Sequence, residues 1–322
     1  MTVPAATARD RLRPALWAVL AVGAAVAATA LAGATAALPF GVVVTRAGAD
    51  VAGVACVGLA LVAVLLPGPT SATRREIART VTTVDRSLLV LAGGWVVLVL
   101  LGVTFRAADA FGRPLAQLGG GEVLAWATRL AAGRGLVLTA GCAVVVLVCA
   151  LVRLRDPDRI AARFPLVAAL LGVLTPTITG HAGSAPNHQV AVVSAALHAG
   201  SAALWVGGLA GLLVLVAAHR PLLDATIGRF SQLAGVCVVT VALTGLLGVQ
   251  VRLASWAALL GTGYGLLVVA KTVALLALAG LGALARRRLA AGRTPVLRWA
   301  GIEVALMAVT LGLAAALSQA AP

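Results

Sequence analysis

Charge is scarce in this sequence. Only 11% of its 322 residues are Asp, Glu, Lys or Arg, against 61% hydrophobic residues. A soluble domain of this length has no interior large enough for so much apolar surface, so the soluble globular classes are excluded. Segments of about ten residues with alternating polarity are missing too, which excludes a membrane β-barrel. Two methionines leave no thioether-rich pathway for a soft metal ion. The four cysteines, Cys56, Cys142, Cys149 and Cys237, lie in apolar runs and form no CxxC pair, which argues against a disulfide framework and for small buried helix residues. No phosphate-binding loop, dinucleotide fingerprint, zinc-protease helix or nucleophile elbow occurs. ATP-driven chemistry by this chain is therefore unsupported, and the chain reads as something other than an enzyme.

What is present is a series of apolar runs of 18 or more residues. They predict an all-α, polytopic transmembrane helical bundle of nine spans. The spans are read at 14–38, 50–67, 85–105, 133–152, 164–181, 190–217, 231–250, 263–285 and 299–318. The net charge of +15 is concentrated in the connections between them rather than on one face, which sets nucleic acid aside as a partner. Eighteen arginines fall on or beside the connections 1–13, 68–84, 153–163, 218–230 and 286–298. Six fall on the opposite side: Arg46, Arg106, Arg113, Arg129, Arg134 and Arg252. The positive-inside rule then puts the N-terminus in the cytoplasm and the C-terminus outside. Ala34-Thr35-Ala36 resembles a signal-peptidase site, and cleavage there would leave eight spans in the same orientation.

Two outer connections carry tryptophan and leucine at helical spacing. Residues 106–132 hold Gly119-Gly120-Gly121 followed by Glu122 and Trp126, and residues 251–262 hold Leu253, Trp256, Leu259 and Leu260. Both read as short interfacial helices with tryptophan at headgroup level. Helix, amphipathic loop and helix would thus occur twice, as a parallel internal repeat over 85–152 and 231–285. Gly207 and Gly211 form a small-xxx-small pair suited to close helix packing.

Three of the four histidines, His181, His188 and His198, fall where the fifth and sixth spans meet. Imidazole is a ready metal ligand and costly at membrane depth without a partner. Neutral imidazoles suit copper, zinc, nickel or iron. Pro176 precedes His181 by five residues, so it should free a backbone carbonyl in the fifth span. Trp205 lies two turns beyond His198 on the same helix face. Lys271, inside the eighth span, and Glu303, inside the ninth, should face the bundle interior, as a relay or as a structural polar network. His219 adjoins Arg220 on the cytoplasmic side and reads as a headgroup residue.

Taken in order, several elements form a recognisable series. They are Gly180-His181-Ala182, His198, Trp205-Val206-Gly207-Gly208-Leu209, Arg229-Phe230-Ser231, Thr244-Gly245, Tyr264-Gly265, Lys271 and Glu303. The region 175–322 that contains them resembles the copper-resistance D (CopD, PcoD or YcnJ-like) family of bacterial inner-membrane proteins. On that resemblance, residues 1–165 are leading transmembrane helices with an amphipathic outer loop, and residues 166–322 are a CopD-like core. The resemblance implies copper uptake from periplasm to cytoplasm, with His181 and His198 as metal-handling positions and His188 beside them. It implies Lys271, Glu303, Tyr264 and Trp205 as a supporting polar network, and a separate periplasmic CopC-like copper-binding protein as a partner besides the lipid bilayer. The alternatives are a haem or electron-transfer protein with His181 and His198 as axial ligands, and a non-transporting factor that hands copper to another protein.

Overall fold

The computed structural model describes residues 39–68, 73–179, 188–217 and 219–252, with scattered helical residues between 268 and 287. The expected spans 14–38, 263–285 and 299–318, and the second amphipathic connection, lie wholly or largely outside the described residues. The chain divides into two compact units, residues 38–252 and residues 1–37 with 253–322. The first unit is the one described below.

Its helices are α1 (Phe40–Leu65), α2 (Arg74–Phe111), α3 (Gly120–Arg129), α4 (Ala131–Arg155), α5 (Arg163–Thr179), α6 (His188–Leu215) and α7 (Arg220–Arg252). No strand occurs among the described residues. A bilayer offers no hydrogen bonds to the backbone, so each crossing segment must satisfy its own, and the helix does this within one segment. Five of these helices are long and apolar enough to cross a membrane. The apolar α5 is shorter, at 17 residues. The protein is a multi-pass helical membrane protein.

Several helices outrun the expected spans. α1 begins at Phe40 rather than near 50, α2 runs for 38 residues, and α7 begins at Arg220. Once a helix is nucleated, each further residue adds a hydrogen bond at little cost, so the polar flanks continue it beyond the apolar run. Gly112 stops α2 at φ 60°, a left-handed conformation that favours glycine, and its N–H donates to the Ala108 and Asp109 carbonyls. Arg46 and Arg106, expected in outer connections, are thereby drawn inside α1 and α2.

The first amphipathic connection forms a helix, α3, as expected. The Glu122 carboxylate accepts the Gly119 N–H and one Arg113 N–H, each at 3.0 Å, and so fixes the start of the helix. Trp126, expected at headgroup level, is instead buried. Gly133 has no side chain to keep α3 away from the start of α4; a Cβ there would run into the backbone of Trp126 and Ala127. The indole therefore lies inward.

Missing side chains set the core. Trp95 of α2 is 2% exposed. It fits between α1 and α5 because Gly53 and Gly172 leave room; a Cβ at either would come within 2.8 Å of the indole. α1 and α6 cross with backbones in contact at Gly58, Gly207 and Gly211. A Cβ on Gly211 would stand 3.0 Å from the Gly58 carbonyl oxygen, and one on Gly58 would strike the Gly207 carbonyl. Gly208 takes the Phe230 ring of α7 on the same side. The small-xxx-small pair is thus a helix crossing, where small residues let van der Waals contact replace the missing hydrophobic drive. Pro176, inside α5, cannot donate to the Gly172 carbonyl one turn back. The Thr139 hydroxyl of α4 lies 3.3 Å from that oxygen and also reaches Gly135.

Candidate functional site

His198 projects from α6 toward α7. Its Nδ1 is 2.9 Å from the Thr244 hydroxyl oxygen, a contact that links positions 46 apart in sequence. The depths agree. His198 is ten residues into α6 and Thr244 eight residues from the end of α7, roughly 15 and 12 Å at 1.5 Å per residue. Both ends lie on the side that the arginine distribution makes the outer one.

This contact assigns the imidazole tautomer. The Thr244 hydroxyl is 2.6 Å from the Thr240 carbonyl, too close for two oxygens without a proton between them. The hydroxyl therefore donates to Thr240, and Nδ1–H must donate to Thr244. The basic lone pair then belongs to Nε2. Metal-bound histidines are commonly held this way, one ring nitrogen donating to a neighbour while the other serves the metal. A Cβ on Gly245 would stand 3.8 Å from His198 Cε1, an ordinary contact.

The other expected positions fare differently. His188 begins α6, but its side chain lies outside the described residues, as do His181, Tyr264, Lys271 and Glu303. Trp205 is buried beside the Gly207 crossing. Among the described residues, no three His, Cys, Asp or Glu side chains cluster as a metal site would need. His219 is exposed, as expected of a residue at the cytoplasmic edge. Cys56, Cys149 and Cys237 are buried, Cys142 partly so, and all four are free thiols.

Two polar groupings went unread in the sequence. Arg153, counted among the cytoplasmic loop charges, is 5% exposed inside α4 and pairs with Asp85 of α2, which is 1% exposed. Arg153 Nε donates to Asp85 Oδ1 at 2.9 Å, and Nη1 donates to the Ile160 carbonyl at 2.6 Å. One side chain thus ties two helices and the connection that follows α4. Asp85 beside Arg86 at a span edge was a signal, but one indistinguishable from ordinary flanking charge. The second grouping is Arg46, Asp50 and Arg106 around a cavity near the outer ends of α1 and α2. Its signal was present, because Arg46 and Asp50 are opposite charges four apart.

Comparison with known proteins finds one family and one relative. The family model described as copper resistance protein D matches residues 224–317. A relative described as copper transport protein CutJ, from Bacillus subtilis (strain 168), is 31% identical over 156 residues. That alignment covers 45% of this chain and 29% of the relative's length. No solved structure matches. Neither the described geometry nor these comparisons support the haem alternative. The resemblance read from the sequence is borne out, and the chain is CopD-like over residues 224–317.

Proposed function

We propose that this protein handles copper at the inner membrane, taking it up from the periplasm through a histidine site expected between α5 and α6, where His198 faces α7. Residues 166–322 are its working core. Copper is the cargo; His181 and His198 receive it, with His188 at the entrance and Lys271, Glu303 and Tyr264 along the inward route. The role is transport rather than catalysis. A periplasmic CopC-like protein delivers the ion.

One observation carries the reading. α7, most of which lies in the CopD-matched segment, holds Thr244 against His198 Nδ1 and so puts the imidazole lone pair on Nε2. Imidazole nitrogen is a good donor to copper in either oxidation state, and an ion held by few ligands can leave again. The scarcity of methionine favours this histidine-based route over a thioether one.

The test is copper accumulation in cells carrying His198→Ala, with membrane abundance measured in parallel. Accumulation should fall to background at unchanged abundance, and purified wild type should bind copper that a His181/His198 double alanine variant does not. Unchanged accumulation refutes the histidine route. Metal uptake by proteoliposomes containing this chain alone separates transport from delivery to another protein.

A further inference from the structure

We propose that a small monovalent anion of the halide class binds between Arg46 and Arg106, in the cavity near the outer ends of α1, α2, α4 and α5. Its described lining contains no histidine.

The helix register brings the groups together. Arg46 is six residues from the start of α1 and Arg106 five from the end of the antiparallel α2, so both sit roughly 8–9 Å below the helix ends. They line a cavity of about 40 Å³ together with Asp50, Trp95, Thr139 and Pro176. That is room for a few waters or one halide, since a single water needs only about 10–15 Å³ on the same measure.

Among the described residues, the charges in the cavity wall do not balance. α1 supplies Arg46 and Asp50, and α2 supplies Arg106; α4 and α5 face it with Leu136, Thr139, Gly172, Val173 and Pro176, all uncharged. Two guanidiniums against one carboxylate leave one positive charge over. The carboxylate is also poorly engaged. Arg46 Nε is 3.8 Å from Asp50 Oδ2, beyond hydrogen-bond reach. That Nε is shielded from solvent and has no hydrogen-bond partner. A buried donor without an acceptor is costly, and the excess positive charge is only partly solvated, the Arg46 and Asp50 side chains being 30% and 51% exposed. An anion at the cavity relieves both.

The walls choose the class of ligand. A metal cation is repelled by the two guanidiniums. The Thr139 hydroxyl is already directed at backbone carbonyls, so the donors available are those of the arginines. Trp95, Leu98 and Val99 give the cavity an apolar lining that suits a weakly hydrated ion.

Trp95 makes the site measurable, because iodide quenches indole fluorescence on contact. Full-length protein in detergent is titrated with iodide, and the Trp95 signal is isolated as the difference between wild type and Trp95→Phe. The expected result is saturable quenching that chloride competes away and caesium does not reproduce. Arg106→Gln should weaken iodide binding roughly tenfold or more, and Asp50→Asn should tighten it severalfold, because the two changes move the local charge in opposite directions. Tightening is not something a folding defect can produce, so the Asp50→Asn arm decides the matter even if the arginine variant folds poorly. Linear quenching, or saturable quenching that neither variant shifts, overturns the proposal. So does weakening by Asp50→Asn.

Discussion

Replacing Asp85 removes one charge from a pair whose two members are almost wholly enclosed, at 1% and 5% exposure. With Nε to Oδ1 at 2.9 Å, the charge centres lie about 4 Å apart, and their attraction is about 4 kcal/mol at an effective dielectric of about 20. Most of that offsets the cost of removing both ions from water, so the intact pair adds little net stability. Breaking it is another matter, because the guanidinium stays buried without its counter-charge. Such single removals cost about 3–5 kcal/mol. Asparagine keeps an acceptor for Nε, so Asp85→Asn should fall near 3 kcal/mol and Asp85→Leu near 5 kcal/mol, as rough figures. The double variant Asp85→Leu/Arg153→Met leaves no charge behind. Its remaining loss is the donor to the Ile160 and, more weakly, Pro157 carbonyls, about 1–2 kcal/mol. The double variant should therefore be more stable than Asp85→Leu alone. The assay is a double-mutant cycle on purified protein, with helix content followed along a denaturing-detergent titration. If Asp85→Leu costs under about 1 kcal/mol, or the two single losses simply add, the pair is not the buried lock described above.

Two further outcomes follow from the packing and from the histidine. Gly58→Ala should destabilise the bundle by about 1–3 kcal/mol because its Cβ meets the Gly207 carbonyl, whereas Gly94→Ala, where a Cβ meets nothing within 4 Å, should be neutral or slightly stabilising. The same titration checks both, and equal effects would show that the α1–α6 crossing is not tight. Thr244→Val removes the acceptor for His198 Nδ1–H and should weaken copper binding by about 10–100-fold, with Thr244→Ser restoring it. Copper titration of the purified variants reads this; equal affinity for valine and serine would mean that the hydroxyl does not position the ring.

Some of this was legible before any coordinates. Gly207 and Gly211 announced a close crossing, Pro176 announced a freed carbonyl, and Glu122 after three glycines announced the short outer helix. Each is a local rule, read from neighbours within a turn or two. The partners were not legible. Nothing near Gly172 names Thr139 as the group that answers its carbonyl, and nothing near His198 names Thr244. Arginine was the most misleading residue type. In the sequence Arg153 and Arg46 look like Arg155 and Arg113, charges that mark the edge of a span.

Sequence alone decided that this chain is a helical membrane protein, and located the approximate spans of the helices described. The bilayer permits so few backbone arrangements that apolar length and arginine placement suffice. Tertiary structure alone decided which polar groups meet: Asp85 with Arg153, His198 with Thr244, Arg46 and Arg106 around one cavity. Those meetings depend on how each helix is rotated about its axis and how far it slides along its neighbour. A helix that is apolar on every side carries no stripe to fix either. Here the glycine crossings and the shape of Trp95 fix them instead, through contacts between residues far apart in the chain.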